Sequence, residues 1–239
     1  YGCMQLFSSF GAFALIGYAL VKVGVVAQSL AMKTWVEPVA DFFARYGKKA
    51  LLLLALIGLY RISDVIAGNI SNIFYQDLGF SKTQIADAVK VVGVVASIGG
   101  GFIGGWLAQK MNIMKAMSVG AILACVTNLL FILLFMTPTV PMMYFAVITD
   151  NLAAGLASAV FIAFLSALTS IRFTAVQYAL FSSLMTLAPK LIGGYSGAIV
   201  DATSYAFFFG FTFLVGVPVL LLIYLVNKHI DISEPQIGD

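Results

Sequence analysis

The sequence contains few charged residues: Asp, Glu, Lys and Arg make up only 10% of its 239 residues, whereas 62% are hydrophobic. Soluble domains carry about 25% charged residues, so this composition excludes an ordinary water-soluble protein and indicates an integral membrane protein. Apolar stretches of about twenty residues recur along the chain, and each can cross a hydrocarbon layer of ~30 Å as a helix. They leave no segment for a water-soluble catalytic domain.

Histidine and cysteine are also scarce. The one histidine, His229, follows the last apolar run, and the two cysteines, Cys3 and Cys125, lie in separate runs without CxxC spacing. This pattern excludes a zinc site and leaves no Ser/His/Asp or Cys/His arrangement. We therefore expect no metal, no cofactor, no catalytic residue and no enzyme activity, and we interpret both cysteines as free, packed thiols.

Basic residues are not clustered, and the formal net charge is only +3, which argues against a nucleic-acid partner. Their distribution predicts topology instead, because Lys and Arg concentrate in cytoplasmic loops. One set of loops holds seven basic residues and the alternate set holds only Lys82. We therefore expect the first set of loops, and the C-terminus, to be cytoplasmic. The seven residues are Arg45, Lys48, Lys49, Lys110, Lys115, Arg172 and Lys228.

Seven apolar runs predict transmembrane helices. They cover roughly 3–26, 50–75, 84–108, 115–136, 141–168, 174–200 and 205–227. The expected fold is an all-α, polytopic membrane bundle. Its predicted parts are an extra transmembrane helix at 1–26, an amphipathic interfacial linker at 27–49, a six-helix bundle at 50–228 and a cytoplasmic tail at 229–239.

The predicted linker has apolar residues at near-helical spacing opposite charged ones, with Pro38 near the start of the pattern. This favours a helix lying on the membrane surface, and an ordinary polar linker is the alternative. The sequence begins on Tyr1, without an initiator Met or a signal region. We therefore expect the chain to be a fragment of a longer polypeptide.

Charged residues occur inside the predicted spans. Counted from Ala50, Arg61 lies about 17 Å and Asp64 about 21 Å along its helix, near mid-membrane. An ionised group there costs roughly 2.5–3.5 kcal/mol, so neither side chain can face lipid. Since they are three residues apart, they can neutralise each other or jointly face a wet cavity. The same reasoning applies to Asp87 and Lys90, which are again three residues apart, and to Asp150 and Lys190, which lie in separate spans.

These six residues balance to zero charge, which fits either a structural ion-pair network or a transport path. Carboxylates held away from water can bind and release protons, as a proton-coupled carrier requires. We therefore assign Asp64 and Asp150 to proton coupling. Asp64 lies in the first helix of spans two to four, and Asp150 lies in the first helix of spans five to seven. This similarity hints at the three-helix repeats from which many secondary transporters are built. Polar residues within the spans can bind a sugar or peptide ligand, or bridge helices. They are Asn69, Asn128, Asn151 and Gln177.

A GxGxxG pattern, formed by Gly99, Gly101 and Gly104, lies inside a predicted span. A dinucleotide site would need a preceding strand and an aqueous pyrophosphate pocket, so we do not expect a cofactor there. Ala96, Gly100 and Gly104 recur at four-residue intervals, which predicts a face for close helix packing.

The stretch WVEPVADFFARYGKKALLLLALIGLYRISDVIAG (residues 35–68) resembles the start of the second half of AmpG-type muropeptide permeases, members of the major facilitator superfamily. The resemblance continues through RFTAVQYALFSSLMTLAPKLIGGYSGAIVD (172–201) and covers about 35–227. The patterns EP-x-x-DFF-x-RYG and F-x-A-x-Q-Y-A-L-x-S are its most specific parts.

This resemblance implies a proton-driven carrier of the bacterial inner membrane that imports GlcNAc-anhydro-muramyl peptides for cell-wall recycling. It implies two six-helix bundles around a cavity lined by the helices of Arg61/Asp64 and Asp150/Asn151, so a further N-terminal bundle is needed. It also suggests substrate contact for Arg61 and Lys190, the latter standing where relatives often have arginine. The loop that contains Lys110 loosely resembles the superfamily's cytoplasmic glycine-acidic-basic loop, which implies a gating role, but it has Gln109 where an aspartate is common.

Other functions stay open at this point. Within the carrier class, the solute could be a CoA thioester, another organic anion or a drug. In a different class, the chain could be a non-transporting membrane scaffold whose internal charges only hold helices together.

Overall fold

The structure is a computed structural model that describes residues 36–230, and this part of the chain is an all-α bundle. Five helical stretches of the described part are long and apolar enough to cross a membrane, so the chain is a multi-pass membrane protein. The helices are α1 (Glu37–Tyr46), α2 (Ala50–Leu59), α3 (Ile62–Asp77), α4 (Lys82–Ala86), α5 (Gly93–Lys110), α6 (Ile113–Met136), α7 (Val140–Leu168), α8 (Thr174–Gly193), α9 (Ser196–Ala202) and α10 (Tyr205–His229).

Six of the seven predicted spans coincide with these helices to within about two residues at each end. The span predicted at 3–26 lies outside the described residues, as do residues 27–35 of the predicted linker and 231–239 of the tail. Of the predicted linker, the structure describes α1, which begins with Pro38 in its first turn and runs through a 3₁₀ turn into α2.

Local sequence explains where the helices begin. Ser81 forms a capping box with Gln84 at the start of α4, Asn112 accepts a hydrogen bond from the first turn of α6, and Ser204 does so for α10. These side chains satisfy backbone N–H groups that have no partner within the helix. The turn between α3 and α4 contains Gly79 with φ 84°, a conformation that glycine adopts at little cost.

Two predicted spans are interrupted. The span 174–200 forms two helices, α8 and α9, separated by Gly194 and Tyr195, and it is not among the five stretches that can cross a membrane. The run from Ala50 to Asp77 was expected as a single helix, but Tyr60 and Arg61 form a turn between α2 and α3. Arg61 has φ −100° and ψ 13°, outside the helical region, and acts as the N-terminal cap residue of α3. The break between α2 and α3 therefore falls at Arg61, one of the charged residues of this span.

The predicted glycine face packs α5 against α7. A Cβ atom at Gly100 would overlap the Leu152 backbone carbonyl, and one at Gly104 would lie 2.5 Å from the Leu156 carbonyl oxygen. Gly155 on α7 lies equally close to the backbone of α5. The prediction of close packing is confirmed, since small residues let helix backbones approach one another.

At the Asp77 end of α3, three buried phenylalanines from three different helices pack together. Phe74 of α3 lies 4.9 Å from Phe209 of α10, and Phe209 stacks at 4.9 Å on Phe131 of α6, measured between ring centroids. Contacts of this kind fix the position of α3, the helix that carries Asp64.

Candidate functional site: charged residues between α3 and α7

Arg61 connects α3 with α7. Its Nη1 donates a hydrogen bond to Ser158 Oγ at 2.7 Å, and its Nη2 forms an ion pair with the Asp64 carboxylate. Both side chains of the ion pair are largely buried, with 23% of Arg61 and 15% of Asp64 exposed. The Arg61 Nε is buried without a hydrogen-bond partner among the described residues. The predicted pairing of Arg61 with Asp64 is therefore present, and the guanidinium keeps one donor unused.

Asp150 lies on the same face of α7 as Ser158, eight residues earlier. It accepts a hydrogen bond from Thr127 Oγ1 of α6 at 3.0 Å, and it is close enough to Asp64 and Arg61 to interact electrostatically with both. The structure thus brings together two of the predicted carboxylates and one arginine. With both carboxylates ionised, this group, which we call the Arg61 cluster (Arg61, Asp64 and Asp150), carries one net negative charge.

Asn128 lies behind this cluster and does not line open space. It is fully buried, and its Nδ2 donates to Ser63 Oγ at 2.7 Å. Ser63 in turn donates to the Thr212 carbonyl at 2.8 Å. The amide therefore joins α3, α6 and α10. Its Oδ1 is buried without a hydrogen-bond partner among the described residues, and its assignment to the cavity wall stays a prediction.

Gln177 is also buried, in a set of contacts that fixes α1. Its Oε1 accepts hydrogen bonds from Arg45 Nη2 at 3.0 Å and Ser170 N at 2.7 Å, and its Nε2 donates to the Pro38 carbonyl at 2.8 Å and to Asp41 at 2.9 Å. The side chain has no capacity left for a substrate, so its assignment to substrate binding does not fit the structure. The two sequence patterns that carry the family resemblance meet here, since one contributes α1 and the other contributes Gln177.

Two further asparagines lie in helix contacts. Asn151 donates to the Val147 carbonyl at 2.8 Å and lies beside Gly93 of α5. Asn69 is exposed, but its amide nitrogen lies so close to Gly193 of α8 that a Cβ atom there would overlap it. Asn69 is thus the most exposed of the three predicted asparagines, since Asn151 is half-buried and Asn128 is buried.

The expected pairs Asp87/Lys90 and Asp150/Lys190 do not form. The described residues form three ion pairs, Arg61 with Asp64 and two that involve α1, and neither expected pair is among them. Asp87 instead accepts a hydrogen bond from the Tyr144 hydroxyl. Lys90 and Lys190 are exposed, as is Lys110 at the end of α5. The six predicted charges are therefore not one closed network.

Two contributors to the cluster were missed from the sequence, Ser158 and Thr127. Ser158 follows Asp150 by two turns, with Ala154 between them, and this four-residue spacing could have identified it as a neighbour on the same face. Thr127 precedes Asn128 and resembles any hydroxyl residue in an apolar helix, so nothing in the sequence marked it.

Within residues 36–230, no group of three or more His, Cys, Asp or Glu side chains could hold a metal ion. The space beside Gly100 and Gly104 in the glycine-rich segment is occupied by the backbone of α7. The cluster combines two carboxylates, which are the kind of group that accepts protons, with a guanidinium, which is the kind of group that binds anions.

No protein-family model matches the chain. It is 26% identical over 212 residues to a Rickettsia conorii protein named "Putative transporter AmpG 4", which covers 88% of this chain and 51% of that protein. It is 31% identical over 201 residues to the anhydromuropeptide permease of Escherichia coli K12, covering 83% of this chain and 40% of the permease. A Rickettsia prowazekii protein named "Putative transporter AmpG 1" is 30% identical over 182 residues, 76% of this chain and 41% of that protein.

The chain spans about half the length of these curated relatives. The matches extend over most of its own length and include several proteins with the same family name. The chain therefore belongs to the AmpG-type permease family.

Proposed function

We propose that the chain is the C-terminal half of a proton-coupled secondary transporter that imports anhydromuropeptides across the bacterial inner membrane. The observation that carries this proposal is the Arg61 cluster, held between α3 and α7 in a chain that is similar to an anhydromuropeptide permease. Ionisable groups inside a membrane are costly, and they usually mark the path of a charged or polar solute.

The exposed face of α3 supports a second bundle. Gly68, Asn69 and Asn72 are exposed on this helix next to the cluster. Lipid cannot satisfy amide groups, so this face needs a wet cavity and further protein to enclose it. A two-bundle carrier supplies both, because its substrate site lies at mid-membrane between the halves.

The charge of the cluster suggests how a proton would be used. Two carboxylates oppose one guanidinium, so the uptake of a single proton makes the cluster neutral. Protonation of Asp64 would weaken its hold on Arg61, and the guanidinium could then bind a carboxylate of the solute. Asp150 would remain as the second carboxylate, held by Thr127. Substrate and proton would thus be coupled through Arg61.

The proposed orientation places the ends of the helices near Arg45, Lys110 and Arg172 in the cytoplasm, together with the C-terminus. The opposite ends, including the loop with Lys82, would then face the periplasm. In this arrangement Lys110 lies at the cytoplasmic entrance and Lys190 on an exposed face of α8, where each could contact the other bundle or the solute.

The test is uptake of labelled anhydromuropeptide by cells that lack their own permease and express the complete transporter containing this chain. Asp64→Asn should abolish proton-driven uptake at normal membrane abundance. Asp77→Asn is the matched control, because Asp77 lies on the same helix but at its far end, where it accepts a hydrogen bond from Tyr205. This control should transport normally.

Normal uptake by Asp64→Asn, with an unchanged dependence on the proton gradient, would rule out Asp64 as the coupling residue. The double variant Arg61→Leu with Asp64→Leu separates a carrier from a scaffold. A carrier should insert and fail to transport, whereas a scaffold should keep its assembly because apolar packing replaces the ion pair.

A further inference from the structure

A second polar site lies at the Asp77 end of α3, distant from the Arg61 cluster. It is a cavity of about 430 Å³ between α3, α4 and the π-helical turn Asp87–Val92 that joins α4 to α5. We call it the lysine groove. Along the axis of α3, Asn72 lies about 17 Å from Arg61. Its polar wall consists of Asn72, Gln76, Lys82 and Lys90, and Ile85 and Val89 contribute to its apolar part.

The lysine groove is positively charged. Lys82 and Lys90 are both exposed, and neither takes part in the ion pairs formed by the described residues. The carboxylates nearest in sequence, Asp77 and Asp87, each accept a hydrogen bond from a tyrosine hydroxyl and do not line the groove. Two ammonium groups therefore face this cavity without a carboxylate on its wall, an arrangement that attracts anions.

The groove also offers amide groups. Asn72 and Gln76 are exposed one helical turn apart. Gln76 Nε2 donates to the Asn72 carbonyl at 3.1 Å, which fixes its position and leaves its side-chain oxygen able to accept another hydrogen bond. Amides of this kind recognise hydroxyl and peptide groups. Lys90 itself lies in the π turn, a distortion that is frequent at functional sites.

An exposed face of α3 extends from the groove towards the Arg61 cluster. Gly68, Asn72 and Gln76 recur at four-residue intervals and are all exposed, so they lie on one face of α3. Arg61 precedes Gly68 by seven residues and lies in the turn just before α3 begins. A solute that enters at the groove would therefore pass Asn72 and Asn69 on its way along α3 to the cluster.

We propose that the lysine groove is an entry subsite for an acidic glycopeptide, in which Lys82 and Lys90 bind peptide carboxylates and the two amides bind sugar or peptide groups. The proposal rests on the proposed transport function. Because lysine acts as a mobile point charge, the subsite would concentrate anionic substrate at the entrance and would not take part in proton coupling.

The test is transport kinetics of the complete transporter in proteoliposomes, with native anhydromuropeptide and with a derivative whose peptide carboxylates are amidated. The double variant Lys82→Gln with Lys90→Gln should raise the KM for the native substrate roughly five-fold and leave kcat unchanged. The corresponding Lys→Arg double variant should restore the KM. The matched control, Lys48→Gln with Lys115→Gln, removes two exposed lysines at the opposite ends of the helices and should change neither constant.

For the amidated substrate, the wild type and the Lys82/Lys90 variant should have the same, high KM. An unchanged KM of the variant for the native substrate, while the wild type transports, would overturn the subsite and leave the transport function standing. Loss of co-purified anionic phospholipid from the variant, with KM unchanged, would identify the groove as a lipid headgroup site and would also overturn the proposal. No accumulation by the wild type would contradict the transport function itself.

Discussion

Replacement of Gly100 by alanine tests the close packing of α5 on α7. The added Cβ atom would overlap the carbonyl of Leu152, a backbone group inside a continuous helix. A flexible side chain could move away, but this carbonyl can move only if the helices separate. Gly101, the next residue, provides a matched control, because a Cβ atom there would meet nothing within 4 Å.

Two opposing contributions determine how much each substitution changes the free energy of unfolding. Alanine is favoured over glycine inside a helix by about 1 kcal/mol, and both variants gain this. Overpacking costs typically about 1–3 kcal/mol, and only Gly100→Ala incurs it. We therefore expect Gly100→Ala to be less stable than Gly101→Ala by about 1–3 kcal/mol, towards the upper end because the atom it meets is backbone.

The assay is unfolding of the purified complete transporter by SDS in mixed micelles, followed by circular dichroism, with the free energies of unfolding of the two variants compared. Gly101→Ala should match or exceed the wild type. Equal stability of the two variants would refute the reasoning, because it would mean that the helix backbones are not as close as the structure places them.

Three further predictions concern buried polar contacts. Gln177→Ala should lower the free energy of unfolding by about 2–4 kcal/mol in the same assay, because four hydrogen bonds are lost, whereas the exposed control Gln76→Ala should change it by less than about 0.5 kcal/mol. Ser158→Ala should lower it by about 1–2 kcal/mol, since Arg61 loses an acceptor; no change would exclude this contact. Cys125 is a buried free thiol, so in a variant whose other cysteines are replaced by serine a maleimide should label it only after SDS unfolding, and rapid labelling of that variant in its native state would contradict the burial of Cys125.

The helices could be predicted because hydrophobic length is a local property. Between Ala50 and Asp77, however, the sequence is apolar on both sides of Arg61, and nothing in it indicated the turn at Tyr60. The turn accompanies the contact of Arg61 with Ser158, which lies 97 residues further along the chain. The position of that partner depends on how α3 and α7 pack.

The candidate site was predictable where the partners lie on one helix. Arg61 and Asp64 are three residues apart and do pair. Spacing alone misled at Asp87 and Lys90, because the helix is π-helical there and Tyr144 of α7 supplies the partner for Asp87.

Gln177 shows the same limit. Its amide looked available for a substrate, but its partners lie more than 130 residues earlier, in α1, and seven residues earlier, at Ser170. Whether a polar side chain is free or already satisfied is decided by tertiary packing, so the sequence alone could not distinguish a ligand contact from a structural one.

The measurement that tests the central claim most directly is accumulation of labelled anhydromuropeptide in proteoliposomes containing the complete transporter, with an imposed pH gradient. The account predicts accumulation in the direction of proton flow. Accumulation should collapse when a protonophore is added and should be absent in Asp64→Asn. Accumulation that is unaffected by the protonophore, or that persists in Asp64→Asn, would contradict it.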